Sequence, residues 1–310
     1  CNSTAVEDCA DECGGDAIED DCGECDSDPE NDCAQLSIAL DGLDLVSFFA
    51  LPEDNSIENV LSGIEDSNPG VLGEGSSAIY DDDSGSWFGT LLNIEPTGRY
   101  WVVMNGSGTL NIVGIPTDPN TEYNLHLHTN LISYPFAGSA PIEETIPSNA
   151  QGSINAILGE GTAALNANGS WVGGLLELSG TEGYWFITNE EVSYSFNPPA
   201  EGAARLVSPI RSVPLEYSFK QSTQQAFYFI NNATIDGSPI EKEDLIIAYN
   251  GDVRVGSRYW YGDVTDVPAM GADGSAYFAG YCNSGDKINF KVLDASSGNL
   301  IDMVSDGETN

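Results

Sequence analysis

The chain of 310 residues is long enough for two or three domains, since domains usually contain about 100–200 residues. It carries 49 Asp and Glu against 9 Lys and Arg, a formal net charge of -40, and no basic residue precedes Arg99. Nucleic acid is therefore excluded as a partner, because phosphate recognition needs a basic surface, and an anionic membrane surface is disfavoured for the same reason. The sequence contains no apolar run of about 18 residues, so no membrane insertion is predicted.

Residues 1–35 form an acidic head with six of the seven cysteines. Superposing Cys1 on Cys25 and Cys9 on Cys33 gives a period of 24 residues, which predicts a longer array of such repeats extending before Cys1. The head has too few apolar residues to form a hydrophobic core. We therefore expect disulfides to hold it together, with zinc as the alternative. The cysteines expected to pair are Cys9, Cys13, Cys22, Cys25 and Cys33.

The run DSDPEND at 26–32 alternates acidic side chains as a calcium loop does. It predicts Ca²⁺ as the one cofactor of the chain, and a solvated acidic turn is the alternative because the glycine and terminal glutamate of an EF-hand are missing. Disulfides in turn indicate an oxidising, extracytoplasmic location. The predicted ligands are Asp26, Asp28, Glu30 and Asp32.

Two copies of one β-rich module follow, at residues 36–115 and 120–199. LDLVSFF (43–49) returns as TNLISYPF (129–136), VLGEG (71–75) as ILGEG (157–161), and SWFGTLLNIEPTGRYWVV (86–103) as SWVGGLLELSGTEGYWFI (170–187). The offset stays between 84 and 86 residues, which indicates a duplication. Each copy is predicted to contain an opening strand, a short helix or turn, a glycine-rich turn and a Trp-bearing strand pair that closes on Tyr-Trp.

Paired aromatic residues recur in both copies, and they have two interpretations. At strand spacing such residues usually belong to a core, which each small module needs. The alternative is a stacking surface for sugar rings. The residues concerned are Trp87, Trp171, Tyr100 and Tyr184.

Two other motifs have both a structural and a chemical interpretation. The GEG turns place Glu74 and Glu160 where an anion would sit, so we expect a structural turn and no phosphate binding. His126 and His128 in LHLH are expected on one face of a strand, where a metal is the alternative to a plain strand.

The remainder is predicted to be a linker at 200–214 and a β-sandwich at 215–310. Short strand-like runs such as QQAFYFI and DLIIAY alternate with the turn signals DG, NG and SG. Cys282 is expected to be a buried thiol without a partner. Most basic residues lie here, so we expect a contact with the acidic remainder or a neighbouring subunit; they include Arg254, Arg258, Lys287 and Lys291.

The order of these segments resembles a known arrangement. The head CADECGGDAIEDDCGECDSDPENDC is similar to acidic cysteine repeats in very large secreted proteins of marine bacteria and in structural proteins of marine bacteriophages, including cyanophages. The pattern NLISYPF, ILGEG, WVG and GYWF resembles the paired modules that follow such repeats. AYNGDVRVGSRYW resembles the module that closes them. The resemblance implies an exported or virion-borne surface protein, and these modules have no established catalytic residues.

We therefore expect a mainly β protein with a non-catalytic function, as a structural or adhesive component of an extracellular or virion surface appendage. The expected partners are copies of the chain or other appendage subunits. A module that binds cell-surface glycans is the alternative. A secreted hydrolase ranks third: no GxSxG or HExxH motif is present, and only a pair among the many carboxylates would support it. The expected location is the cell exterior, the cell surface or the virion surface.

Overall fold

The computed structural model describes residues 6–19, 22–23, 25–27, 32–199, 211–262 and 264–305. The chain is mainly β, with several sheets and only short helices, which confirms the predicted fold class. Within the described residues, no helix has the length and apolar character needed to cross a membrane.

The acidic head contains one short antiparallel pair, β1 (Ile18–Glu19) and β2 (Cys25–Asp26). Its order comes from covalent links, because almost all its described side chains are exposed or only half-buried. Disulfides join Cys9 to Cys25 and Cys22 to Cys33, with Cα atoms 5.7 and 5.4 Å apart. The second bond ties Cys22 to Cys33, the residue directly before the first long strand.

The first module is a twisted antiparallel sheet with one short helix. Its strands follow the order β3-β8-β5-β6-β7, and β4 pairs with the far end of β8. The Ser56 hydroxyl caps α1 by accepting a hydrogen bond from Asn59 N at 3.4 Å. The elements are β3 (Ala34–Ser47), β4 (Ala50–Leu51), α1 (Ile57–Val60), a 3-10 helix (Glu65–Ser67), β5 (Gly70–Leu72), β6 (Ser77–Asp81), β7 (Ser86–Gly89) and β8 (Arg99–Pro116).

The second module repeats this arrangement. Its main sheet has the order β10-β16-β12-β13-β14, in which every strand stands at the place of its counterpart in the first module. The elements are β9 (Tyr123–Leu125), β10 (His128–Ser133), β11 (Ser139–Pro141), α2 (Ile142–Thr145), α3 (Ser148–Gln151), β12 (Ile154–Leu158), β13 (Ala163–Ala167), β14 (Ser170–Gly173), β15 (Glu177–Ser179), β16 (Gly183–Thr188) and β17 (Val192–Tyr194).

The two copies also share their strand register. Leu45 pairs with Trp101 in the first module, as Leu131 pairs with Trp185 in the second. Each module has its own buried cluster on the inner face of the sheet. The two similar β modules in series are therefore present, with β3 and β8 reaching one or two residues beyond the expected bounds of 36–115.

The copies differ where their longest strands bend. In the first module β3 is continuous and absorbs the bend in a bulge beside Gly42, whose φ is +79°. In the second module the equivalent strand is divided into β9 and β10, and His128 has a φ of +81°. The expectation that His126 and His128 share one strand face is therefore wrong, because β9 and β10 pair with different strands across this break.

The C-terminal module is a small sandwich of two sheets, with a separate short pair of strands, β19 and β20. The pair β18-β23 faces a four-stranded sheet of order β22-β21-β24-β25, and side chains of both enclose the third core. Cys282 is a half-buried free thiol at the edge of that core. The elements are a 3-10 helix (Leu215–Tyr217), β18 (Gln225–Ile230), β19 (Thr234–Ile235), β20 (Ser238–Pro239), β21 (Leu245–Asn250), β22 (Val253–Tyr259), β23 (Thr265–Met270), a 3-10 helix (Ala276–Phe278), β24 (Asn289–Leu293) and β25 (Leu300–Asp302).

Candidate functional site

The predicted calcium loop is only partly described. Asp26 lies in β2, and Asp32 precedes the disulfide-bonded Cys33, whereas Asp28 and Glu30 lie outside the described residues. Within the described ranges, no group of three or more His, Cys, Asp or Glu side chains is arranged to hold a metal ion. Calcium binding by this loop stays a prediction. Cys13 is also disulfide-bonded, and Cys1 lies outside the described residues.

The four paired aromatic residues lie in the module cores. Tyr184 is 0 % exposed, Tyr100 4 % and Trp171 8 %, while Trp87 is half-buried against the first core. The Tyr100 hydroxyl accepts a hydrogen bond from Glu95 N at 2.8 Å, and the Tyr184 hydroxyl accepts one from Ser179 N at 2.7 Å. The two tyrosines thus hold equivalent loops in place from within the module cores, and a stacking role for the half-buried Trp87 stays a prediction.

The two modules pack against each other through equivalent surfaces. Leu45 and Trp101 of the first sheet lie against Leu131 and Trp185 of the second, on the sheet faces that point away from the module cores. Because cross-strand pairs share one sheet face, the same pair from each copy meets its own counterpart.

Hydrogen bonds show the same reciprocity. The Ser47 hydroxyl donates to Gly180 O at 3.2 Å, and its counterpart Ser133 donates to Pro96 O at 2.9 Å. Each copy thus contacts the other through the same groups, so the modules are related by an approximate two-fold axis.

The C-terminal module holds the glycine-rich turn of the second module. The Gln225 side chain donates to Gly159 O at 2.9 Å and accepts from Gly161 N at 3.2 Å. Asp266 accepts a hydrogen bond from Ala163 N at 2.9 Å. These bonds immobilise the GEG turn that follows β12.

A buried ion pair completes this contact. Arg258 and Asp266 are 5 % and 0 % exposed, and their charged groups are 3.2 Å apart. Arg258 also donates to Gly161 O of the second module. Arg258 thus contacts the second module through a backbone carbonyl, while its ion pair lies within the C-terminal module, so the expected electrostatic contact with the acidic remainder stays a prediction.

Two cavities flank the approximate two-fold axis, and they are equivalent. The smaller, of about 300 Å³, is lined by Glu74 and Arg99 together with strand residues of the second module. The larger, of about 740 Å³, contains Glu160 at the place of Glu74. The C-terminal module also lines the larger cavity, through residues such as Phe219 and Arg258.

The carboxylates of the two cavities are in different states. Glu74 is paired with the Arg99 guanidinium at 2.8 Å. Glu160 instead accepts a hydrogen bond from Leu45 N at 3.0 Å, across the module boundary. Burial raises the pKa of Glu160 to about 7 against the effect of that hydrogen bond, and the negative charges of Asp44 and Glu182 act in the same direction as burial.

Sequence reasoning treated Glu160 as a turn residue and did not single out Asp44, Glu182 or Arg99 as a group. The signal was present in the duplication itself. The first copy reads Thr-Gly-Arg-Tyr-Trp at 97–101, where the second reads Thr-Glu-Gly-Tyr-Trp at 181–185. A cation in one copy is thus replaced by an anion one position earlier in the other, at or directly before the start of the equivalent strands β8 and β16, and each of these two residues lines one cavity.

Comparison of the chain with protein-family models, with curated proteins and with solved structures gave no match.

Proposed function

We propose that the chain is a non-catalytic structural and adhesive component of an extracellular or virion surface appendage, and that its copies associate through the first module. The presence of disulfides in the head supports a place of work outside the reducing cytoplasm. The aromatic residues that are buried in both copies support a structural function of the repeat, in which neighbouring modules pack against each other.

One observation carries the proposal: the first module presents a strip of apolar side chains to solvent. Val103 pairs with Gly70, Gly70 with Ile79, and Ile79 with Phe88, so these positions lie in one row on the outer face of the sheet. Ile79 is 59 % exposed and Phe88 55 %. We call this row, with Leu72, the outer strip; contiguous exposed apolar surface of this kind marks a protein contact.

The second module indicates what covers such a strip. Its equivalent side chains are all half-buried, and the Phe229 ring of the C-terminal module lies beside Gly173, 3.2 Å from the position that a Cβ atom would take there. A β module of the same chain therefore packs next to this face in one copy, and a second copy of the chain is the corresponding occupant in the other. The half-buried equivalents are Leu158, Leu165, Val172 and Ile187.

The test is the mass of the protein in solution, measured by light scattering over a hundredfold range of concentration. We expect mass to rise with concentration, and the Phe88→Ser variant to remain a monomer under the same conditions. Leu176→Ser is the matched control, because Leu176 is 62 % exposed but lies outside the strip. A wild-type protein that stays monomeric, or association that survives Phe88→Ser, would contradict the proposal.

A glycan array separates adhesion by this chain from assembly alone. Binding to a defined glycan that Phe88→Ser leaves unchanged would favour a glycan-binding module in place of an assembly unit. Turnover of a glycoside substrate would contradict the non-catalytic assignment.

A further inference from the structure

We infer that the larger cavity between the modules binds a guanidinium group, supplied by a small molecule or by an arginine side chain of a partner. The inference is independent of the proposed assembly function, because it concerns a different surface. It comes from comparing the two equivalent cavities within one chain.

The smaller cavity shows what its glutamate binds. The Arg99 guanidinium lies 2.8 Å from Glu74 and also donates to Thr97 O at 3.3 Å. Arg99 is 11 % exposed, so this pair is shielded on the cationic side, and desolvation lowers the pKa of Arg99 to about 10. A carboxylate in this position thus forms a charge-assisted contact with a planar cation.

The larger cavity repeats the receptor groups. Glu160 stands at the place of Glu74, and Thr181 at the place of Thr97. Leu45 N donates to one oxygen of Glu160, and within the described residues no hydrogen bond reaches the other. The position of Arg99 is taken by Gly183, so this position supplies no cation to the second cavity, and among the described residues no ion pair to Glu160 is formed.

Steric crowding at the approximate two-fold axis explains this asymmetry. A Cβ atom on Gly183 would lie 2.9 Å from Arg99 Cβ and 2.9 Å from Leu45 Cγ. Arg99 and Gly183 are thus neighbours across the axis, and only one of them can carry a side chain. The arginine fills the first cavity, and its presence excludes an arginine from the second.

The charges that face the larger cavity favour a cation. Four carboxylates line it, and one of them, Asp44, replaces the neutral Asn130 of the other cavity. Of its two cationic side chains, Arg258 is paired with Asp266, and Arg211 stacks on the Tyr259 ring at 3.8 Å. Burial disfavours the charged form of these carboxylates, so a bound cation would stabilise them. The four are Asp44, Glu160, Glu177 and Glu182.

Size and shape set the ligand class. A volume of about 740 Å³ falls within the usual range of small-molecule sites, roughly 300–1,000 Å³. The cavity opens to solvent, so either a free molecule or a side chain on an extended peptide has access. A guanidinium is preferred to an ammonium group because the group that fills the smaller cavity, the Arg99 guanidinium, is planar and contacts two acceptors at once.

Calorimetric titration at pH 8 tests the inference with agmatine, the pentapeptide Gly-Gly-Arg-Gly-Gly, its lysine analogue, and CaCl₂. We expect binding of the guanidinium probes with one site per chain, and binding at least tenfold weaker to the Glu160→Gln variant. Glu74→Gln is the matched control and should bind within about twofold of wild type. Tighter binding of the peptide assigns the site to a partner's arginine, and equal or tighter binding of agmatine assigns it to a small molecule.

A variant of the smaller cavity tests whether a glutamate in this position binds a guanidinium group. Arg99→Ala removes the internal guanidinium and leaves Glu74, so agmatine should then occupy two sites per chain. A single site in Arg99→Ala, equal affinity for the lysine analogue or Ca²⁺, unchanged binding to Glu160→Gln, or no binding to wild type would each overturn the inference. Binding to wild type should also tighten from pH 6 to pH 8, as Glu160 ionises beside Asp44, Glu177 and Glu182.

Discussion

Replacement of Glu160 by glutamine should raise the unfolding free energy at pH 8, although removal of a charged residue at a module boundary usually lowers it. The pKa of Glu160 is raised from 4.5 to about 7, chiefly by burial. A carboxyl group with a raised pKa stabilises the fold fully below its unfolded pKa, and that contribution is lost as the pH rises through the folded value. The difference of roughly 2.5 pKa units, at about 1.4 kcal/mol for each unit, amounts to about 3.5 kcal/mol in all, of which about 3 kcal/mol falls between pH 4 and pH 8 because titration is incomplete at both ends.

Glutamine keeps an oxygen that accepts the hydrogen bond from Leu45 N but has no charge to bury. Glu160→Gln should therefore equal wild type in unfolding free energy near pH 4 and exceed it by up to about 3 kcal/mol at pH 8. Urea unfolding followed by tryptophan fluorescence measures both, since Trp101 and Trp185 lie at the module contact.

The equivalent substitution in the first module provides the control. Glu74→Gln removes the partner of the mostly buried Arg99, so it should destabilise the protein at pH 8 by about 1–3 kcal/mol. The two substitutions should therefore change the unfolding free energy in opposite directions at pH 8, because the two cavities differ in whether the glutamate has a cationic partner. A stability difference between Glu160→Gln and wild type that is the same at pH 4 and pH 8 would refute the reasoning.

Three further predictions concern packing and covalent links. Gly183→Ala should destabilise the protein by about 1–3 kcal/mol through its clash with Arg99 Cβ and Leu45, and thermal denaturation should show part of this loss recovered in the double variant with Arg99→Gly, which removes that Cβ atom. Asp266→Ala leaves Arg258 buried without its partner, so limited proteolysis should release the C-terminal module faster, with a stability loss of about 3–5 kcal/mol. Reduction of the head disulfides should accelerate proteolysis before Cys33 while the fluorescence of the two modules is unchanged, because each module has its own core.

The sequence carried enough information to predict the modules. An offset of 84 to 86 residues aligned Leu45 with Leu131 and Trp101 with Trp185, and the structure places these pairs at equivalent positions of equivalent sheets. Duplication is informative because it reports the same structural requirement twice. The alternation of apolar and polar residues in LHLH predicted one continuous strand. This prediction was wrong because such a pattern carries no information on the positive φ of His128, at which the strand is interrupted.

The candidate site was harder to predict because it lies between modules. Periodicity identifies the outer face of each sheet but not which outer face packs against which. The reciprocal contacts of Ser47 and Ser133 depend on the rotation between the two sheets, which no local pattern specifies. The exchange of Arg99 for Gly183 was visible in the aligned copies, yet its meaning requires the knowledge that these two positions touch.

Electron microscopy of the concentrated protein tests the central claim most directly. The account predicts linear or paired assemblies in which the first module of each chain lies in the contact, with the outer strip around Phe88 covered by a second copy. Particles of a single chain at all concentrations, or assemblies in which this strip faces solvent, would contradict it.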